Sequence, residues 1–170
     1  MTADGSPRDH KVEAILPRTA TKRALAAGRT FSAAPSGNRT VLVVEDDAGA
    51  LKLAQLLLAE RGYHPIGESS AEDGLRAAVA HAPALVIVDL LMPGVNGLEF
   101  VERLRALPEG RELPIVVWSV KDLEADERRR LESSRAEIVS KRGDGARALL
   151  EAVHRLLPIT TVQVEQVHGR

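Results

Sequence analysis

The sequence of 170 residues contains no cysteine and only four aromatic residues. Without cysteine there is no disulfide framework, no thiolate nucleophile and no cysteine-ligated zinc or iron–sulfur site. The scarcity of aromatic side chains argues against nucleic-acid binding by base stacking. The interior must be built mainly from leucine, valine, isoleucine and alanine, a composition that suits helices packed on a smooth sheet.

Long apolar runs are also missing. No run approaches the roughly 18 residues that a membrane span needs, and the N-terminus lacks the apolar stretch of a secretory signal. We therefore expect a soluble, cytoplasmic protein. The formal net charge is only −1, but basic residues are in excess over residues 1–40 and acidic residues over residues 41–158. The acidic excess over residues 41–158 argues against DNA binding by this segment.

Composition divides the chain into a central domain and two extensions. Residues 1–39 are basic and rich in small and polar residues, which is typical of a flexible arm. An arm that docks on a partner or an anionic surface is the alternative. Residues 40–158 carry the periodic patterns of one folded domain, and residues 159–170 form a short C-terminal tail.

Short apolar runs alternate with helical stretches from residue 40 onward. Three of the runs are nearly continuous in valine, isoleucine and leucine, as in strands buried on both faces, and two are weaker. The runs are residues 40–44, 63–66, 84–88, 113–118 and 136–139. With five helical segments between and after them, the pattern favours a doubly wound α/β fold with parallel strands in the order 2-1-3-4-5.

Polar residues mark where several of the helices are expected to begin. Capping positions are predicted at Asp47, Ser69 (in a capping box with Glu72), Asn96 and Asp144. The fourth helix, about residues 122–133, has few apolar residues and should be the most loosely packed. Charge pairs at i, i+4 are expected to support it. The pairs are Glu124–Arg128 and Asp126–Arg130.

Ionisable or hydroxyl side chains follow four of the predicted strands. They are Glu45, Asp46 and Asp47 after the first strand, Asp89 after the third, Ser119 after the fourth and Lys141 after the fifth. Because the carboxyl ends of parallel strands meet at one edge of the sheet, we expect these groups to lie close together. Grouped carboxylates are costly unless a cation neutralises them. Hard oxygen ligands select Mg²⁺ or Mn²⁺.

Each of these residues alone also has an ordinary structural explanation. Asp47 is interpreted as a helix cap. Taken singly, Asp89 fits a loop residue equally well, Ser119 a strand-end hydroxyl bonded to the backbone, and Lys141 a solvated charge. The five histidines are scattered without ligand spacing. Trp118, next to Ser119, should point to the opposite face of the sheet and into the core.

Taken together, the motifs resemble the receiver domain of two-component response regulators. The resemblance covers about residues 40–158. It rests on the acidic pair in Val43–Asp47, on the loop Asp89–Gly94 with Gly97, on Ser119 and on Lys141. The spacings of 43 residues from Asp46 to Asp89, 30 to Ser119 and 22 to Lys141 agree with the family pattern. The resemblance implies a flavodoxin-like (βα)5 parallel sheet.

The resemblance also implies phosphoryl transfer to Asp89 from a histidine kinase or a histidine phosphotransfer protein. Ser119 and Lys141 would bind oxygens of the phosphoryl group. A Mg²⁺ ion, or Mn²⁺ in its place, would neutralise those oxygens. The implied metal ligands are Asp46, Asp89 and the backbone carbonyl of Leu91, with Glu45 assisting through water.

The function implied is signal transduction in a phosphorelay rather than enzymatic catalysis. The only chemistry expected is Mg²⁺-dependent autophosphorylation and autodephosphorylation. Thirteen residues follow Leu157, too few for a DNA-binding or enzymatic domain, so we expect a single-domain response regulator that contacts an unidentified downstream protein. Two residues depart from the usual family pattern: Arg142 stands at a common proline position and Ile138 at a common aromatic one. Both affect the usual output switch.

Two other functions fit part of the pattern. A degenerate receiver would serve as a phosphorylation-independent binding module, but Asp46, Asp89, Ser119 and Lys141 are all present. A Mg²⁺-dependent aspartyl-phosphate phosphatase of the haloacid-dehalogenase type would carry a second aspartate two residues after the nucleophile. Leu91 occupies that position.

The resemblance further implies where water would reach a phosphorylated Asp89. The positions two residues after the acceptor and two after the switch hydroxyl flank the route, here Leu91 and Lys121. An apolar Leu91 should hinder water, and Lys121 offers no carboxylate to orient it. We therefore expect slow self-hydrolysis.

Overall fold

The computed structural model describes residues 37–159. Residues 1–36 of the predicted arm (1–39) and residues 160–170 of the predicted tail (159–170) lie outside the described residues. Five strands form one sheet: β1 (Thr40–Val44), β2 (His64–Glu68), β3 (Leu85–Val88), β4 (Ile115–Ser119) and β5 (Ala136–Ser140). All neighbouring pairs are parallel, and the order is β2-β1-β3-β4-β5. The predicted strand order is confirmed.

Helices connect the strands, as parallel pairing requires. They are α1 (Ala48–Glu60), α2 (Ala71–His81), α3 (Gly97–Ala106), α4 (Ala125–Ser133) and α5 (Gly145–Leu156), with a short 3₁₀ turn at Pro108–Gly110. Within residues 37–159, every helix is too short or too polar to cross a membrane.

A hydrophobic core lies on each face of the sheet. One face packs against α2, α3 and α4 around Phe100 and Leu131. The other packs against α1 and α5 around Leu58 and Leu149. Alternate residues of β1 enter the two cores, and all of β3 is buried. This burial on both faces explains the continuous apolar runs in the sequence.

Two predicted helix caps are confirmed. Asp47 accepts a hydrogen bond from the Ala50 N–H at 2.7 Å and caps α1. Asn96 accepts one from the Glu99 N–H at 3.0 Å and caps α3. Asp144 stands at the N-cap position of α5 without a capping bond from its side chain.

The predicted cap of the second helix is wrong by one residue. Ser70 rather than Ser69 accepts from the Asp73 N–H, at 3.1 Å. The cause is the length of β2, which pairs with β1 as far as Glu68. Ser69 connects the strand to the helix, so the helix starts one residue later than predicted.

The fourth helix is shorter than predicted, and its charge pairs differ. Neither predicted i, i+4 pair forms among the described residues. Arg129 pairs with Asp126 at 3.0 Å, and Arg130 reaches across to Glu102 of α3 at 2.6 Å. Only Leu131 is buried in α4, fewer residues than in any other described α-helix, as expected for the most loosely packed one.

Candidate acidic and metal-binding site

The backbone at the ends of β1 and β3 places two carboxylates at one edge of the sheet. The Asp89 N–H donates to the carbonyl of Val44 at 3.0 Å, and the Glu45 N–H donates to the carbonyl of Glu68 at 2.9 Å. Strand-type pairing therefore continues one residue beyond each strand. Glu45 and Asp89 are only 2% and 5% exposed, so both acids are held out of water.

Lys141 joins these two carboxylates. Its backbone N–H donates to the carbonyl of Ser119 at 3.0 Å, which fixes the start of the loop after β5. Its Nζ donates to Asp89 Oδ2 at 2.8 Å and to Glu45 Oε2 at 2.5 Å. The side chain is 12% exposed. The ammonium is therefore a buried cation shared by two acids.

Ser119 ends β4 beside the acids and is 5% exposed. Its hydroxyl oxygen accepts a hydrogen bond from the Lys121 N–H at 3.3 Å. The hydroxyl also faces the carboxylate of Asp89 and favours its charged form. The structure thus combines the two interpretations of this residue, a hydroxyl bonded to the backbone and a member of the site.

The loop after Asp89 turns back on the same carboxylate. Asp89 Oδ1 accepts a hydrogen bond from the Leu91 N–H at 3.2 Å. Leu90 and Met92 are buried on either side, whereas Leu91 is 50% exposed. Gly94 has a φ of +75°, a conformation that favours glycine. The role of the Leu91 carbonyl as a metal ligand remains a prediction.

The environment separates the two buried acids. Burial raises the pKa of both. For Asp89, hydrogen bonds from Lys141, Ser119 and the Leu91 N–H outweigh burial, and its pKa lies below the ordinary value of 3.8. For Glu45, burial outweighs the hydrogen bond from Lys141, and its pKa lies above 4.5. The pKa values of the two acids are therefore shifted in opposite directions, although both acids share the Lys141 ammonium.

Three carboxylates converge closely enough to share a metal ion. One oxygen each of Glu45, Asp46 and Asp89 lies within 4.8 Å of the others, and Asp46 is exposed. Three acids face one ammonium, so negative charge is in excess. An all-oxygen donor set open to solvent on one side fits a hydrated Mg²⁺ or Mn²⁺ ion.

The two departures from the family pattern lie next to this site. Ile138 lines a cavity of about 350 Å³ behind Ser119, together with Val117. Arg142 pairs through its guanidinium with Asp122 of the loop after β4, at 2.8 and 3.0 Å. A contact between two loops thus occurs where the family commonly has a proline.

The sequence did not predict one neighbour of the site, Trp118. It is buried in the core with Leu149, as expected. In addition, its ring centroid is 5.2 Å from Lys141 Nζ. The sequence holds no signal for this contact, because it depends on the register of the sheet, in which Trp118 pairs with Val139, two residues before Lys141.

Replacing Lys141 with methionine should destabilise the fold by about 2 kcal/mol near neutral pH, because two buried carboxylates lose their cation. In the wild type, Lys141 contributes its full stabilisation at pH values below its ordinary pKa of 10.5. Burial lowers the pKa of Lys141, but the hydrogen bonds with Asp89 and Glu45 outweigh burial and raise it. The stabilisation is therefore lost only as the pH rises through this raised pKa. In the variant, burial and mutual repulsion raise both carboxyl pKa values. Its stability should therefore increase as the pH falls from about 7 to about 5.5.

Urea unfolding in EDTA at the two pH values measures this effect. Lys52→Met, at an exposed lysine of α1, is the matched control and should change the free energy of unfolding by less than about 0.5 kcal/mol. A Lys141→Met variant that is as stable as this control, or that loses stability on mild acidification, would contradict the buried ion pair.

Comparisons with known proteins identify the family of this domain. A family model described as the response regulator receiver domain matches residues 41–154. The phosphate regulon transcriptional regulatory protein PhoB of Escherichia coli (strain K12) is 25% identical over 134 residues, 77% of this chain and 58% of that protein. The alkaline phosphatase synthesis transcriptional regulatory protein PhoP of Bacillus subtilis (strain 168) is 33% identical over 89 residues, 52% of this chain and 36% of that protein. The matches thus span 58% or less of these relatives.

Solved structures show the same relationship. The N-terminal domain of a response regulator receiver protein from Methanoculleus marisnigri JR1 is 30% identical with a TM-score of 0.57, covering 71% of this chain and 98% of that one. A response regulator receiver protein from Pseudomonas putida is 28% identical with a TM-score of 0.63 and the same coverage. The family match includes both acidic strand ends, the hydroxyl and the lysine, and the chain belongs to the response regulator receiver domain family.

Proposed function

We propose that the protein accepts a phosphoryl group on Asp89 and transmits a two-component signal in this form. The observation that carries the proposal is the setting of Asp89: it is a buried carboxylate with Lys141 Nζ 2.8 Å from its Oδ2 and the Leu91 N–H 3.2 Å from its Oδ1, beside the carboxylates of Glu45 and Asp46. Such a group is a nucleophile shielded from bulk water. Its neighbours supply the charges that phosphoryl transfer needs.

In the proposed transfer, an oxygen of Asp89 attacks phosphorus, and a new O–P bond forms as the P–N bond of a phosphohistidine breaks. The electron pair of that bond returns to the imidazole of the donor. Lys141, already 2.8 Å from Asp89 Oδ2, binds a phosphoryl oxygen after transfer, and the Ser119 hydroxyl donates to another. A Mg²⁺ ion held by Asp46, Asp89 and the Leu91 carbonyl, with Glu45 assisting through water, would neutralise the oxygens during transfer.

The partners follow from this chemistry. The donor is a histidine kinase or a histidine phosphotransfer protein, and the output is a contact with a further protein. Movement of Ser119 toward the phosphoryl group would disturb its bond with the Lys121 N–H. The cavity beside Ile138 leaves space for the loop to move, and α4, which buries only Leu131, has the least packing to resist. A partner that prefers one arrangement of this region would gain affinity accordingly.

Phosphorylation of the full chain by acetyl phosphate tests the proposal. With Mg²⁺, the protein should gain the mass of one phosphoryl group, and EDTA should prevent the gain. Peptide mapping should place the group on the tryptic peptide of residues 77–103, in which Asp89 is the only aspartate. A stable chain that takes no label would favour a phosphorylation-independent binding module. Continuous release of phosphate over many turnovers would favour a phosphatase.

The phosphoryl group on Asp89 should hydrolyse slowly, because exposed Leu91 offers no polar group to water. Lys121 is paired with Glu127, so it is not free to assist at the same site. Leu91→Asn should shorten the half-life of the phosphoryl group about tenfold. The decay of labelled protein after removal of acetyl phosphate measures this.

Leu53→Asn is the control for this prediction. Leu53 is a leucine of α1 with 46% exposure, close to the 50% of Leu91, but on an element without site residues. Its substitution should leave the half-life unchanged. A half-life of seconds in the wild type, equal to that of Leu91→Asn, would contradict the role assigned to Leu91.

A further inference from the structure

Trp118, the chain's only tryptophan, contacts the ion pair of the acidic site from the core side. Its ring centroid lies 5.2 Å from Lys141 Nζ, the atom that donates to Glu45 and Asp89. Trp118 is 3% exposed. A cation over the face of an indole is attracted by the ring quadrupole, and more strongly where water is excluded. The ammonium is therefore held by two carboxylates and one aromatic ring.

A hydrogen bond fixes the indole in turn. Trp118 Nε1–H donates to the carbonyl of Gly145, the first residue of α5, at 3.2 Å. A Cβ atom at Gly145 would stand 2.5 Å from the carbonyl oxygen of Ser140, so α5 starts tightly against the end of β5. The indole thus contacts both ends of the loop that carries Lys141: the ammonium at its start and the Gly145 carbonyl at its end.

Other contacts of this loop are weaker. Arg142 pairs with Asp122, but the two side chains are 60% and 87% exposed, and exposed ion pairs contribute little. A Cβ atom at Gly143 would meet nothing within 4 Å. Besides the backbone bond from Lys141 to Ser119 and the ion pair of Lys141 with the two acids, the buried contacts with Trp118 are therefore the ones able to hold the loop in place.

We propose that Trp118 is a positioning residue for Lys141. Its ring face and its N–H together set where the ammonium stands relative to Asp89 and Glu45. The consequence for phosphoryl uptake rests on the proposed function, whereas the contact itself does not. If Trp118 only filled space beside Leu149, any apolar side chain of adequate size would replace it.

The fluorescence of Trp118 tests the contact directly. Because the chain has one tryptophan, its emission can be excited selectively in the 170-residue protein without metal. Lys141→Met should shift the emission maximum and change its intensity, since the charge over the ring is lost. Lys121→Met is the matched control, because Lys121 pairs with Glu127. Unchanged emission in Lys141→Met, or an equal change in both variants, would overturn the proposal.

Two substitutions of Trp118 then separate positioning from space filling. Phenylalanine keeps an aromatic face but loses the N–H bonded to Gly145, whereas leucine keeps only apolar volume. At saturating Mg²⁺, the rate of labelling by acetyl phosphate should stay within about threefold of wild type in Trp118→Phe and fall about tenfold in Trp118→Leu. Equal rates in the two folded variants would overturn the proposal.

The fluorescence and labelling experiments test different claims, so one can fail without the other. If the wild type takes no label, the proposed function is wrong, while the fluorescence comparison still decides whether the ring senses Lys141. That comparison also keeps the native core, so it remains decisive if Trp118→Leu does not fold.

Discussion

The Asp89→Asn variant should take up no phosphoryl group from acetyl phosphate, a complete loss against a fully labelled wild type. An amide is a far weaker nucleophile than a carboxylate. It also fits the site poorly. Asp89 presents Oδ2 to Lys141 Nζ and Oδ1 to the Leu91 N–H, so both positions need an acceptor. An asparagine would place its NH₂ group against one of these two donors.

The fold should survive this change, because Lys141 keeps its bond with Glu45. Intact-mass measurement after incubation with Mg²⁺ gives the extent of labelling. Asp122→Asn is the matched control: its carboxylate is 87% exposed and pairs with Arg142 outside the acidic cluster. This control should label as the wild type does. Label that persists in Asp89→Asn would move the acceptor to another residue, with Glu45 and Asp46 of the same cluster as the candidates.

The fold was predictable because the strongest strands are buried on both faces. The first residues of the strands were harder to predict. The fourth strand begins at Ile115 rather than residue 113, and the carbonyl of Pro114 already accepts from the Val86 N–H. Proline has no N–H to donate to a ladder. The second strand begins after Tyr63, whose N–H is still bonded to Leu58 at the end of α1.

Contacts between distant residues could not be predicted from one sequence. Arg105, near the end of α3, has the pattern of a solvated charge. In the structure, it donates to the carbonyls of Leu113 at 2.7 Å and Ser134 at 2.8 Å, and also to Gly110. One guanidinium thus ties α3 to the start of β4 and to the turn before β5. Periodicity carries no information on such a pairing.

The acidic cluster was predictable for a topological reason: residues that follow parallel strands must meet at one edge. Glu45, Asp89 and Lys141 do meet there. The difference between the two acids was not predictable, because it depends on how the donors around each carboxylate offset its burial. Glu45 also accepts from a backbone N–H, that of Asp47 at 3.4 Å, whereas Asp89 has the Ser119 hydroxyl beside it as a further donor. Asp89 accepts from the Leu91 N–H as well as from Lys141, and that geometry belongs to the loop.

Gly97→Ala should be the most damaging substitution where α3 packs against that loop. Gly97 is the first residue of α3 and is buried. A Cβ atom there would overlap the carbonyl oxygen of Asp89 and stand 2.8 Å from the Cα of Leu90. Both are backbone atoms, which cannot rotate away. The helix and the acceptor loop would have to separate, at a cost of roughly 3 kcal/mol or more in the free energy of unfolding.

The same separation should reach the site, because the loop that would move carries the Leu91 N–H bonded to Asp89. We therefore expect slower labelling by acetyl phosphate in addition to a lower urea midpoint. Gly94→Ala is the control on the same loop. Its φ of +75° strains any side chain, but nothing lies within 4 Å of an added Cβ, so the cost should be only about 1 kcal/mol. Equal stability of the two variants would show that contact between α3 and the loop does not hold Asp89 in place.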